Sequence, residues 1–403
     1  MKLTNLKGGK MIQILKKLLK SVRDYKRDSL LSPLFVTLEV FMEVLIPFFM
    51  AAIIDIGITN KDISFTVKVG LILAGTAILS LIFGTLSGKF AASASAGFAK
   101  NLRQDMFYNI QNFSFSNIDK FSTASLVTRL TTDVTNVQNA YQMVIRFLIR
   151  GPIMLVFALI MAMRVNLRLS VVFLFAIPLL AVGLFTIAIK APPYFEKVFR
   201  KYDRLNSIVQ ENLAGIRVVK AYVREDFEKK KFYEISDDVY KQFKTAEKII
   251  AFNSPLMQFS MYTSILLISW LSAELIVTDV MTTGQLMSMI VYATQILSSL
   301  MMLSMVFVMI IMAETSAGRI VEVLEEKSSL KNCENPIKEI SNGEIEFQDV
   351  DFSYSDDSQR LALKNVNIHI KSGETIGIIG GTGSAKTTFV QLIPRLYDVM
   401  CAV

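Results

Sequence analysis

Close to residue 380, the chain carries a segment whose residue types suit the binding of phosphate. SGETIGIIGGTGSAKTT (372–388) combines an apolar stretch, a glycine-rich loop, a lysine and two hydroxyl residues, and FVQLIPRLY follows it as a predicted helix. The order of strand, loop and helix turns successive backbone N–H groups and a helix N-terminus toward one point, which attracts phosphate oxygens. The predicted phosphate-contacting residues are Gly380, Gly381, Thr382, Gly383, Ser384, Ala385, Lys386, Thr387 and Thr388.

Three residues of this loop have distinct predicted roles. Lys386 would reach the terminal phosphates of a nucleotide, and the hydroxyl of Thr387 would be a ligand of Mg²⁺. Ala385 stands where the usual pattern has its last glycine. An alanine there costs little if its backbone is helical, but on the order of 1 kcal/mol or more if φ is positive. The sequence leaves both conformations open.

The residues around the loop predict the beginning of a soluble α/β domain over 344–403. GEIEFQDVDFSY (343–354) alternates like a strand, a second strand is expected around Val366–Ile370, and TIGIIGG (375–381) is predicted to be a buried strand that leads into the loop. A charged, turn-rich linker is predicted over 318–343.

The rest of the chain has the composition of a membrane protein. Hydrophobic residues make up 52% of the 403 residues, and the mean hydropathy is +0.44. A helix needs roughly 20 apolar residues to cross a bilayer. Apolar runs of about this length or more lie at 29–54, 67–90, 142–163, 169–189, 249–276 and 285–312. We therefore predict a domain of six transmembrane helices over 29–317, with a short hairpin turn between the third and fourth.

The charge pattern predicts how these helices are oriented. The net charge is +8, but the basic residues flank the apolar runs and form no stripe of their own, which argues against nucleic-acid binding. Lysine and arginine are frequent after the fourth run and absent from VTDVMTTG after the fifth, so both termini and the long connections are predicted to be cytoplasmic. The expected location is the plasma membrane, as a multi-pass protein.

The N-terminal segment 1–28 is predicted to lie along the cytoplasmic membrane surface as an amphipathic helix. Its lysines and arginines occupy one face, and a regular apolar stripe occupies the other. A solvated basic segment is the alternative. The stripe consists of Ile12, Leu15, Leu18, Leu19 and Val22.

Cys333, Cys401 and His369 receive no functional role. The two cysteines have neither the number nor the spacing of a disulfide framework or a metal site. The histidine lies in the alternating stretch NVNIHIKSG, which is typical of an ordinary strand position.

The two long connections between membrane helices, at about 91–141 and 190–248, keep helical periodicity. We therefore expect the membrane helices to continue into the cytoplasm as levers. Their tips, IDKFSTASL (118–126) and KAYVREDFE (220–228), would contact a soluble part of the protein. Solvated turns are the alternative interpretation.

Polar and flexible residues inside the apolar runs have two possible uses. Glu39 and Glu43 share one helical face, where an isolated charge is costly, so they line a cavity for cationic or amphipathic cargo or form a bundle-facing pair. Methionines on one broad face of the sixth run suit either a promiscuous cavity or, as the favoured interpretation, simple helix packing. These are Met301, Met305, Met309 and Met312.

Together these features resemble one half-transporter of the ABC exporters, particularly the bacterial multidrug and lipid exporters. ENLAGIRVVKAYVREDFE (211–228) and DKFSTASLVTRLTTDVTNVQ (119–138) look like the two cytoplasmic coupling loops of that family, and the similarity extends to about Asp398. The resemblance implies ATP-driven export of amphipathic, drug-like or lipid substrates by alternating access, with ATP and Mg²⁺ as cofactors. It also implies a second half-transporter as partner, identical or related, in contact with membrane lipid.

By the same resemblance, Tyr354 in VDFSY matches the aromatic residue that stacks on adenine. The family's glutamine loop, LSGGQ-type signature, Asp-Glu strand end and switch histidine do not occur in the 403 residues, and the final MCAV no longer resembles the family. We therefore expect a domain truncated after the phosphate loop, with no catalytic residues, weak nucleotide binding and no ATP hydrolysis by this chain alone.

Two other functional classes compete with an exporter half. One is a non-hydrolysing membrane scaffold subunit that depends on an intact ABC partner. The other, a soluble P-loop kinase fused to a membrane anchor, is disfavoured because the similarity continues through the whole membrane part.

Overall fold

The computed structural model describes residues 13–330, 342–354 and 360–399. Cys333, Cys401 and residues 331–341 of the predicted linker lie outside the described residues. The chain forms two compact units, each made of several segments. The first comprises Met1–Arg23, Gly97–Gln138 and Ala313–Val403, and the second comprises Asp24–Ala96 and Asn139–Met312.

Most of the described chain is helical, as its apolar periodicity predicts. Six helices have a window long and apolar enough to cross a membrane, which confirms the predicted number of spans. They are α1 (Gln13–Ile58), α2 (Ile63–Gln111), α4 (Thr123–Val165), α5 (Leu167–Ala214), α7 (Glu225–Val277, with a break at Phe252) and α8 (Thr283–Glu325). The remaining helices are the short α3 (Phe115–Phe121), α6 (Ile216–Ala221) and α9 (Lys386–Leu392).

The second unit has a helical core contributed by five of the membrane helices. Val40 of α1, Ala158 of α4, Phe173 of α5 and Ile268 of α7 are fully buried around Tyr292 of α8. The Tyr292 hydroxyl, which could not be left without a partner in an apolar bundle, donates to the carbonyl of Val44 at 3.1 Å. Apolar packing and tertiary hydrogen bonds, including one from the N–H of Gly284 to Asp55 at 2.8 Å, therefore hold α1 and α8 together.

The helices continue beyond the predicted spans, as expected for levers, and α8 extends through residues 318–325 of the predicted linker. The predicted hairpin between the third and fourth spans is present: Asn166 ends α4, and its side chain accepts from the N–H of Leu169 at 3.2 Å. Both predicted tips fold into short helices with sharp turns. Ser122 between α3 and α4 has φ 57°, and Val223 between α6 and α7 has φ 50°.

The amphipathic N-terminal stripe divides into two pairs. Leu18 and Val22 are buried in the protein, whereas Leu15 and Leu19 are about half exposed. Ile12 lies outside the described residues. Only the second pair is accessible to a membrane surface.

The soluble part contains two antiparallel strands, β1 (Ile345–Phe352) and β2 (Leu363–Ile370), in which Ile345 pairs with Ile370. Both match predicted strands. Helix α9 packs on them through Phe389, whose ring stacks on that of Phe347 with centroids 4.6 Å apart.

The prediction of a buried strand at TIGIIGG was wrong. Residues 375–381 form no strand, and the side chain of Ile379 is 99% exposed. A buried strand needs hydrogen-bonding neighbours, and in the described residues β1 and β2 pair only with each other. The segment is apolar, as a buried strand would be, but no described residues pack over it or pair with it as a strand.

Candidate functional site

Lys386 closes the phosphate loop on itself. Its ammonium group donates to the carbonyl oxygens of Gly380 and Gly381, each at 2.7 Å, and lies 3.3 Å from the hydroxyl of Ser384. The residue is the first of α9, so the lysine stands where the helix N-terminus also concentrates positive potential. This geometry holds the cation at the centre of the loop.

The structure decides the conformation of Ala385, which the sequence left open. Its φ is 57° and its ψ is 23°, in the left-handed region, and Gly383 has φ 84°. Glycine adopts this region readily, but for alanine it costs roughly 1 kcal/mol because the methyl group crowds the following carbonyl. The conformation of the loop therefore includes backbone strain at Ala385.

We predict that Ala385→Gly stabilises the loop by about 0.5 kcal/mol. The substitution removes the backbone strain but gives the unfolded chain more freedom, so part of the gain cancels. Hydrogen exchange of residues 380–388 should slow about twofold. As a control, Ala92→Gly makes the same change at an exposed, helical position of α2 and should accelerate local exchange. Faster exchange at the loop of Ala385→Gly would contradict the strain.

The loop has room for a phosphate group. A Cβ atom placed on Gly381 or Gly383 would meet nothing within 4 Å, so the space beside both residues is open. Thr387 is exposed, as a ligand of a nucleotide-bound cation must be, while Thr382 is an exposed residue of the turn. The residues therefore fit a nucleotide phosphate and Mg²⁺ on steric and chemical grounds.

Tyr354 lies next to the loop. Its hydroxyl is 2.9 Å from that of Thr388, which is buried, and its ring makes an edge contact with Phe352 at 4.9 Å between centroids. About half of the Tyr354 side chain is exposed. The structure thus brings together the aromatic residue and the phosphate loop, which are 26 or more residues apart in the sequence.

In the first unit, the short helix α3 is joined to the C-terminal end of α8. Asn117 of α3 donates to the carbonyl of Lys327 at 3.1 Å, and Asn109, in the last turn of α2, donates to the carbonyls of Val323 at 2.6 Å and Glu326 at 3.0 Å. The carbonyl of Val323 lies in the last turn of α8 and the other two follow the helix, so all three need partners outside it. The tip of the first connection therefore caps the helix that leads toward the soluble part.

An ion pair reinforces this junction. Asp133 of α4 is fully buried and accepts from the Nε of Arg319 at 2.7 Å and from the hydroxyl of Ser316 at 2.8 Å, both on α8. Arg129 also donates to the carbonyl of Arg319 at 2.7 Å. A buried carboxylate is stable only when its oxygens are paired in this way.

Comparison with known proteins agrees with this architecture. Residues 29–313 match the family of ABC transporter transmembrane regions. The chain belongs to the ABC transporter family. Among its relatives, the uncharacterized ABC transporter ATP-binding protein YfiB of Bacillus subtilis is 36% identical over 89% of this chain and 62% of its own length.

Further relatives carry similar names. An uncharacterized ABC transporter ATP-binding protein of Mycobacterium tuberculosis is 29% identical over 94% of this chain and 65% of its own length. The putative ABC transporter ATP-binding protein exp8 of Streptococcus pneumoniae is 24% identical over 96% of this chain and 66% of its own length. The chain thus spans slightly less than two thirds of the length of these ABC transporter proteins.

In the membrane part of this ABC transporter, Glu39 and Glu43 are paired with an arginine of another helix. Arg150 of α4 donates a hydrogen bond to each carboxylate, from Nη1 to Glu39 and from Nη2 to Glu43 at 2.5 Å. The pair is therefore a bundle-facing ion cluster, the second of the two predicted interpretations. Sequence reasoning missed Arg150, although its spacing of four from Arg146 in an apolar run parallels that of the two glutamates.

The favoured interpretation of the methionine face, simple helix packing, stays a prediction, since most of the face is exposed within this chain. Met301, Met305 and Met312 are at least 40% exposed, and Met309 is half-buried. Close to it, α5 and α8 form the sides of an open cavity of about 500 Å³ whose wall is apolar except for Ser304. Phe185, Leu303 and Phe307 belong to that wall.

Proposed function

We propose that this chain is one half of an ATP-driven ABC exporter that moves amphipathic, drug-like or lipid substrates out of the cytoplasm by alternating access. One observation carries the proposal: Asn117 and Lys120 of α3 bind Glu326 and Lys327 at the end of α8, in the same compact unit as the phosphate loop. Through these contacts, a movement of α3 would reach a helix that crosses the membrane.

The residues that would hold the nucleotide are those of the loop and Tyr354. Backbone N–H groups from Gly381 to Thr387 and the ammonium of Lys386 would bind the phosphates, Thr387 would orient Mg²⁺, and the ring of Tyr354 would stack on adenine. When bound, ATP supplies the free energy of transport through its binding and hydrolysis. The exposed face of Tyr354 and the open space beside the glycines support this assignment.

The cavity between α5 and α8 supports an amphipathic cargo. Its volume lies within the range of small-molecule sites, and its wall offers apolar contact with a single hydroxyl. The adjacent exposed methionines can adapt to differently shaped apolar groups. The arrangement favours cargo with a substantial hydrophobic body.

The tip of the second connection supports a partner. Val218, Tyr222 and Val223 are 61%, 75% and 81% exposed around α6, and solvated turns rarely present apolar side chains together in this way. We propose that they contact the nucleotide-binding domain of a second half-transporter. The lysine and arginine distribution supports cytoplasmic placement of this tip and of both termini, in a plasma-membrane protein.

A non-hydrolysing scaffold subunit is the second candidate. It is favoured by the exposure of Ile379, because a phosphate loop preceded by an uncovered apolar segment is a poor nucleotide site. In both cases we propose that a chain of these 403 residues does not hydrolyse ATP alone, since it contains no Asp-Glu strand end to activate water.

The decisive experiment purifies the tagged chain from its native membrane. We expect an ABC half-transporter with a complete nucleotide-binding domain to co-purify, and the complex to hydrolyse ATP faster when an amphipathic compound is added, while the isolated chain shows only background turnover. Val223→Asp should abolish co-purification by placing a charge in the apolar contact.

The control is Lys229→Asp, which changes a charged and exposed residue close to the tip. It should leave co-purification largely intact. Turnover by the isolated chain would contradict the absence of hydrolysis. A complex whose ATPase rate ignores every amphipathic compound would favour the scaffold over the exporter.

A further inference from the structure

Tyr397 lies between the candidate nucleotide site and the first connection, and both contacts occur inside the first unit. It follows α9 after a reversal at Arg395, whose φ is 53° and whose N–H donates to the carbonyl of Leu392 at 3.0 Å. Its ring packs against the apolar cluster of β1 and α9. The position of Tyr397 is thus fixed by the same elements that hold the phosphate loop.

On one side, the ring of Tyr397 touches the aromatic residues of the nucleotide site. It makes edge contacts with Tyr354 at 5.2 Å and with Phe352 at 5.7 Å between ring centroids. Such edge contacts favour a defined geometry and add to simple apolar burial. Tyr354 is also hydrogen-bonded to Thr388 of the loop. A movement of Tyr354 toward the base of a nucleotide would therefore change its ring contact with Tyr397.

On the other side, Tyr397 binds α3. Its hydroxyl donates to the Oδ2 of Asp119 at 2.9 Å, and its ring lies 6.1 Å from that of Phe115, one helical turn earlier on the same face. Burial, together with the hydrogen bond to Asp119, raises the pKa of Tyr397 to about 12. The phenol therefore remains a proton donor at neutral pH, and the bond to the carboxylate is charge-assisted.

The opposite side of α3 is bound to the end of α8. Asn117 and Lys120 both bind the carboxylate of Glu326, each at 2.8 Å, immediately after α8. The helix is also closed at its start by a reciprocal capping box between Ser114 and Asn117. A displacement of Asp119 is therefore passed to the end of α8 by a rigid turn of helix.

We propose that Tyr397 is a positioning residue that couples occupancy of the nucleotide site to α3 and thus to the end of α8. The contact sequence is Thr388, Tyr354, Tyr397 and Asp119. The inference rests on the proposed function, because it takes Tyr354 to be the residue that meets the base. It adds a specific residue, with a specific hydroxyl, as the link.

The test measures hydrogen exchange of the intact chain in lipid nanodiscs, with and without MgATP. In the wild type, MgATP should slow exchange in both residues 380–388 and α3. In Tyr397→Phe, the loop should still respond while α3 should not, because the ring remains but the bond to Asp119 is lost. Without nucleotide, the same variant should exchange about tenfold faster at α3, as expected for loss of a charge-assisted hydrogen bond.

Two variants separate the possible failures. Lys386→Ala should remove both responses to MgATP, and Tyr233→Phe, at an exposed tyrosine of α7, should change neither. Absence of loop protection in the wild type overturns the proposed nucleotide site. Loop protection with an α3 response that Tyr397→Phe leaves intact overturns the role of Tyr397 alone, as does unchanged α3 exchange in this variant without nucleotide.

Discussion

Arg150→Ala is expected to lower the free energy of unfolding of the membrane unit by about 3 to 5 kcal/mol. The guanidinium binds both Glu39 and Glu43, and all three side chains are less than one third exposed. Its removal leaves two carboxylates facing each other among apolar helices, where a charge without a partner is costly. The variant should aggregate at a much lower temperature than the wild type when heated in detergent and analysed by size-exclusion chromatography.

A rescue variant distinguishes the cost of the unpaired carboxylates from the cost of the lost arginine packing. Adding Glu39→Gln and Glu43→Gln to Arg150→Ala removes every charge of the cluster and should recover most of the lost stability. Arg164→Ala is the matched control, because Arg164 is exposed in the last turn of α4, and it should change stability by less than about 0.5 kcal/mol. If Arg150→Ala were as stable as this control, the two glutamates would be hydrated, as in the cavity interpretation.

Lys386→Ala should weaken nucleotide binding by about ten- to a hundredfold, since each hydrogen bond to a charged group contributes about 1.5 to 3 kcal/mol. The ammonium now binds the carbonyls of Gly380 and Gly381, and it must exchange at least one of them for phosphate. This competition and the strain at Ala385 both predict weak binding by the wild type. Titration with a fluorescent ATP analogue measures both affinities.

The control for this variant is Lys364→Ala, which removes an exposed lysine from β2 without touching the loop. Its affinity should equal that of the wild type. Low-micromolar binding by the wild type that disappears in Lys386→Ala would show that the loop is a competent site despite its exposed preceding segment. Equal binding by both variants would place the nucleotide elsewhere.

Several elements could be predicted from the sequence because their causes are local. The six spans follow from runs of apolar side chains, which a helix must bury in lipid whatever its neighbours do. Strands β1 and β2 follow from alternation, and the phosphate loop follows from glycines, a lysine and hydroxyl residues at fixed spacing. Each of these signals lies within about twenty residues.

Sequence reasoning failed where the cause is distant along the chain. TIGIIGG has the composition of a buried strand, yet no described strand pairs with it. The methionine face has the spacing of a packed helix and is mostly exposed within this chain, so its packing stays a prediction. Burial depends on which surfaces meet, and periodicity shows only which side of an element is apolar.

The sequence by itself determined that this ABC transporter chain has six helices apolar enough to cross a membrane, helical extensions beyond them, and a glycine-rich loop with an alanine before its lysine. Only the tertiary structure decided that Ala385 has a positive φ, that Arg150 joins glutamates more than 100 residues away, and that Tyr397 bridges Tyr354 and Asp119. The physical reason is the range of the interactions. Helix and turn propensities act between near neighbours, whereas ion pairs and ring contacts require side chains that folding alone brings together.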